Sequence, residues 1–160
     1  MPRTRTRSAS GRARSPKRSE PLLQPNDVRA YLLDHASRIA PADVDSLVAR
    51  AADVREKTGS ERGRHPLFYR QLTVALRLLA DHASGRCAQI PYHTVCLLAA
   101  ALYYWLEPLD AIPDFVPVAG TSDDALVLEL ACELGAAGLD RYCTFTGIPL
   151  ATVLPGYQPR

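Results

Sequence analysis

Between Val95 and Leu106 the sequence VCLLAAALYYWL runs for twelve residues without a charge or a helix breaker. Alanine and leucine dominate it, so it reads as a helix. Because it is apolar all round, it has to be enclosed by protein or by lipid. Twelve residues rise about 18 Å as a helix, well short of the roughly 30 Å hydrocarbon core of a bilayer. Lengthening the run backward brings in Thr94, His93 and Pro91, and forward it meets Glu107 and Pro108. Length therefore favours a central helix of a bundle over a conventional transmembrane span. Tyr103, Tyr104 and Trp105 cluster at one end, where amphipathic aromatics suit a membrane interface. A short helical hairpin dipping into one leaflet is the alternative.

The flanking sequence supplies helices to surround this one. From Asn26, with Asn26 or Asp27 as cap, Val28, Tyr31, Leu32 and Ile39 recur near helical spacing until Ala40-Pro41 stops them. A second helix starts at Pro41, with Val44, Leu47, Val48, Ala51 and Ala52 in one stripe. The short connection predicts an antiparallel pair over 26–57. TGSERGRHP, residues 58–66, reads as an exposed loop. A third helix follows from about Pro66 to Ser84, with Leu72, Ala75, Leu76, Leu79 and Ala83 on one side, Arg70, Arg77 and Asp81 elsewhere, and Gly85 as its C-terminal stop. The last helix runs from Asp123 to Gly135 or on to Tyr142, with Glu129 and Glu133 marking a solvated face or pairing with Arg77 or Arg86. No strand-period stretch competes, so the chain is expected to be all-α, a small bundle of about five helices around an apolar hairpin.

Net charge is +2, but it is split. Residues 1–20 carry seven basic side chains against Glu20 alone, a net of six positive charges, whereas the other 140 residues hold 12 basic and 16 acidic ones. Residues 1–22 have too few apolar side chains to offset the entropy of ordering them and read as a disordered basic arm. The arm lacks the apolar segment of a secretory signal, so export is not expected. Clustered arginine next to serine suits nucleic acid or anionic lipid head groups, or serves as a solubilising tail. Cys87, Cys96, Cys132 and Cys143 form no C-x-x-C pair, and His35, His65, His82 and His93 form no ligand-spaced pair. Reduced, structural thiols and surface histidines are the expectation. The tail over 147–160, with three prolines, is expected to run loose.

After the apolar helix comes PLDAIPDFVPVAGTSDD, residues 108–124, with three prolines, a glycine and four aspartates. Pro108, Asp110, Ile112, Pro113, Asp114, Pro117, Gly120, Asp123 and Asp124 match, at fixed spacing, the signature of the YkvA-like family, which residues 66–142 therefore resemble. Glu107 departs from that pattern, where serine is usual, and so do Thr121 and Ser122, where apolar or aromatic residues are common. The resemblance implies a helical hairpin and membrane assignment, with no established activity.

The turn admits two readings. As a connector, its prolines end one helix and stiffen the crossing, and Thr121 or Ser122 caps the next helix with Asp123 and Asp124 in its first turn. As a site, Asp110, Asp114, Asp123 and Asp124 converge on a divalent cation, Mg²⁺ or Ca²⁺, or on a basic group of a partner. No phosphate loop or nucleophile–base pair accompanies them, so no catalytic residue is named. The functional expectation is a non-enzymatic helical module on the cytoplasmic side, associated with a membrane surface or membrane protein. The alternatives are a soluble protein-interaction adaptor, a metal-dependent enzyme acting on phosphate esters, and nucleic-acid binding through the arm.

Overall fold

The computed structural model describes residues 25–107 and 122–158. Over these the chain forms α1 (Pro25–Arg38), α2 (Pro41–Ala49), α3 (Ala51–Gly59), α4 (Pro66–Ala83), α5 (Tyr92–Leu106), α6 (Ser122–Leu134) and α7 (Ala136–Thr146), then a 3-10 turn at Leu150–Thr152. There is no strand among the described residues, so the all-α expectation holds. The basic arm and the aspartates Asp110 and Asp114 lie outside the described residues.

Seven helices stand where about five were expected, because two of the anticipated helices break. At Arg50 the backbone leaves helical geometry (φ −90°, ψ 16°), its N–H reaching both Ser46 O and Leu47 O at 3.1 Å, and α3 restarts one residue on. At Gly135 the same happens (φ −93°, ψ 11°), separating α6 from α7. Each break re-aims a short helix without a long loop. The α1 helix begins a little earlier than its expected caps, so Asn26 and Asp27 sit in its first turn. Glycine ends α4 and α7 as a left-handed residue. At α4, Gly85 (φ 77°) donates to His82 O and Arg86 to Asp81 O, the paired closure that satisfies free carbonyls.

The α5 helix occupies the centre, packed against α1, α2, α4, α6 and α7. From Thr94 to Leu102 every residue is buried, and Tyr104 and Trp105 are buried beyond it. Each fully buried leucine there, such as Leu97, Leu98 or Leu102, contributes on the order of 2 kcal/mol. The apolar run is thus consumed by the interior of the protein, as its length predicted. No described helix is long and apolar enough to cross a membrane.

The α1 helix packs most on α5 and α6, and α2 on α4 and α5, each turning its apolar stripe toward the central hairpin. They share one core with the rest. Local packing departs from the sequence reading in two places. The tail after Gly147 is packed, with Val153 and Leu154 buried and Gln71 Nε2 donating to Val153 O at 3.0 Å. The segment 58–66 is only partly an exposed loop, since Thr58 closes the core side of α3 and Glu61 is 5% exposed.

At the N-terminal end of α5, contact is backbone-close. Thr94 lies against α7 so tightly that a Cβ added at Gly138 would stand 2.2 Å from Thr94 Oγ1. Only glycine permits that approach.

Candidate functional site

The opposite end of the bundle, where α5 stops and α6 starts, gathers charge. The α6 helix opens with Asp123 and Asp124 in its first turn, as the connector reading expects, where the helix dipole favours negative charge. Facing them across the end of α5 is the C-terminal part of α3. Lys57 extends over the Trp105 ring, 4.2 Å from its centroid, and donates to the Trp105 carbonyl. A cation on the last free carbonyls of a helix is favourable, and over an indole face doubly so. Phe68 of α4 meets the indole in an edge-to-face contact, with ring centroids 5.1 Å apart.

Several carboxylates gather at this end, and one of them, Asp124, feels the charge of Lys57. Glu61, buried in the turn after α3, accepts from Ser60 Oγ at 3.4 Å, and His65 Nε2 lies 3.9 Å from its Oε2. Glu107, exposed at the end of α5, binds Arg50 Nη1 at 2.6 Å. The Asp124 carboxyl is pushed up to about 6, above all by burial; Lys57 is the next influence and pulls it down, while the negative charges of Asp123 and then Glu61 push it up by less. Burial, with Asp124 and Asp123 nearby, also raises the Tyr104 phenol. The Trp105 indole N–H is buried with no partner among the described residues.

Of the four aspartates named from sequence, Asp123 and Asp124 therefore come to one end of the bundle together, beside an internal basic group, while Asp110 and Asp114 lie outside the described residues. Among the described residues no cluster of three or more histidine, cysteine or acidic side chains is arranged to hold a metal. Lys57 and Glu61 were not singled out by sequence reasoning, and Trp105 was singled out only as one of three aromatics suited to a membrane interface, whereas it is buried. Glu61 sits in a stretch whose glycines and charges signal exposure, and nothing local marks it as buried.

At the other end the buried carboxylate is paired. Asp81, 6% exposed and unanticipated as a buried group, accepts from Tyr142 Oη at 2.7 Å and pairs with Arg86 Nη1 at 3.0 Å. Arg77 approaches it at 4.0 Å. Glu129 and Glu133 instead remain on the solvated face of α6, and the ion pairs of Arg77 and Arg86 go to Asp81. All four cysteines are free and buried, and burial is the leading cause raising each thiol, so they are poor nucleophiles.

An apolar helical hairpin, closed at one end and charged at the other, defines a small helical domain. Residues 94–130, from α5 through the acidic turn into α6, match the family described as "Protein of unknown function (DUF1232)". The chain is also 37% identical over 71 residues to the protein named "Uncharacterized membrane protein YkvA" of Bacillus subtilis strain 168, a stretch covering 44% of this chain and 67% of that protein. The chain belongs to this YkvA-like family of unknown function. No solved structure matches it.

Proposed function

We propose that the protein is a non-enzymatic helical module that associates with a membrane surface or with a membrane protein. The observation that carries this reading is the kinship, along the α5–α6 hairpin, with a relative whose name places it in membranes. The architecture bears on how attachment would occur. Since α5 spends its apolar surface inside the protein, attachment is peripheral and relies on groups other than that helix. The arm brings six net positive charges in 20 residues, and basic residues near an anionic bilayer contribute about 1 kcal/mol each. Leu33 on α1 and Leu126 on α6, neighbouring helices, are exposed apolar side chains available to the interface.

Fractionation of cells with salt and carbonate washes tests this. The protein should sediment with membranes at low salt and be released by high salt or carbonate. Recovery in the soluble fraction at low salt overturns the reading.

A second reading, a Mg²⁺ or Ca²⁺ site at Asp110, Asp114, Asp123 and Asp124, draws on the raised Asp124 carboxyl, which burial raises first, with smaller contributions from the negative charges of Asp123 and Glu61. Lys57 already supplies part of the compensation, which favours the connector. A rise in melting temperature with either ion, abolished by Asp124→Asn, would support the cation site. Unchanged melting with both ions would sink it.

A further inference from the structure

Between α3 and α4 lies a cleft of about 380 Å³, within the range of small-molecule sites. Its walls carry two arginines and no carboxylate: Arg55 from α3 and Arg77 from α4, both exposed. Its floor is apolar, with Leu72 and Leu76 buried. Thr58 stands in the wall one turn beyond Arg55. It is 4% exposed, and its Oγ1 has no hydrogen-bond partner among the described residues. A buried hydroxyl left unpaired is unfavourable, and a ligand oxygen would relieve it.

The arginines are available. Arg55 forms no ion pair among the described residues, and Arg77 only grazes Asp81 at 4.0 Å, a carboxylate already held by Arg86 and Tyr142 at 3.0 and 2.7 Å. Arg62, whose guanidinium lies 5.9 Å from the Tyr69 ring in the same wall, adds positive potential. Guanidinium groups match the planar geometry of carboxylate and phosphate oxygens. The chain's own arm, being strongly basic, is repelled by such a cleft and does not fit as its occupant.

We propose that this cleft binds a small amphiphile with an anionic head group, carboxylate or phosphate. The head oxygens accept from Arg55, Arg77 and Thr58, and the apolar chain lies along Leu72, Leu76 and Ala80. The site goes beyond the membrane reading and does not depend on it, because the ligand enters from solution.

Calorimetric titration of the full chain with octyl phosphate and with octanoate, below their critical micelle concentrations, is the test. At least one of them should bind saturably at one site per chain. Octyl glucoside, with the same tail and no charge, and inorganic phosphate, with no tail, should bind at least about tenfold more weakly. Arg55→Gln combined with Arg77→Gln should weaken the anionic probe about tenfold, and Thr58→Val about threefold, since each removes a donor to the head group. The arginine variants should keep the wild-type unfolding midpoint, because both side chains are exposed. Absence of saturable binding, equal binding of octyl glucoside, or full affinity in the arginine double variant overturns the proposal.

Discussion

The two ends of α5 bury acid in opposite ways. Near its start, Asp81 is enclosed by the Tyr142 hydroxyl and Arg86, and the backbone of α7 closes onto Thr94 through Gly138. Near its finish, Asp124 sits half-buried, with Asp123 and Glu61 raising its carboxyl and Lys57 lowering it, and it holds its proton to about pH 6 chiefly because it is buried. A paired carboxylate of the first kind serves stability. A buried carboxyl of the second kind is tolerated at a cost in stability. The contrast sets a paired, stabilising acid at one end of α5 against a destabilising one at the other.

The contrast breaks most easily at the closed end. Gly138→Ala forces a methyl into Thr94, and should destabilise the protein by about 3 kcal/mol in urea unfolding. Adding Thr94→Ala should recover part of the loss, and a double variant no better than the single one would show that the contact is not the cause. Tyr142→Phe strands one oxygen of the buried Asp81, and should cost about 1–3 kcal/mol.

At the acidic end the expected effects are smaller and of the other sign. Asp124 binds its proton more tightly in the folded chain, at about 6, than at its ordinary value of 3.8. Between those values the folded state therefore holds more protons than the unfolded one, and stability falls as pH rises through that window. Asp124→Asn should raise stability at pH 7 by about 1 kcal/mol, after allowance for solvent screening of a half-exposed group, and flatten the profile between pH 4 and 6. A loss of stability at pH 7 would contradict the assignment. Lys57→Met removes the one influence that lowers the Asp124 midpoint. Carbon-detected NMR titration should then place that midpoint above 6, whereas an unchanged midpoint would show that Lys57 does not face the carboxyl.

Much of the fold was legible because its determinants are local. The twelve-residue apolar run was too short for a bilayer and too apolar for a surface, which left the core. Pro41, Pro66 and Gly85 announced helix ends through backbone geometry that side chains cannot override. The burial of Asp81, Glu61 and Thr58 was not legible, because it depends on which helix packs where, and their own surroundings in sequence are polar. The break at Arg50 was missed, and the one at Gly135 was left as one of two possible ends, for a related reason. A one-residue departure from helical geometry leaves the apolar period almost intact, and Gly135 reads equally well as an end or an interruption. The packed tail was missed because its prolines signal irregular backbone, which says nothing of whether Val153 and Leu154 find the core. Of the acidic end, sequence supplied Asp123, Asp124 and, as part of an aromatic cluster, Trp105, and tertiary packing supplied Lys57 and Glu61.

The central claim is that the hairpin is the protein's interior and that attachment to membranes is peripheral and electrostatic. Flotation of the full chain with vesicles of pure phosphatidylcholine and with vesicles containing phosphatidylserine, over a salt series, tests it most directly. The account predicts flotation with the anionic vesicles alone, falling steeply as salt rises and lost on deletion of residues 1–20. Flotation with neutral vesicles that persists in high salt would mean that the apolar helix itself enters lipid, and failure to float at any salt would mean that the surface association is absent.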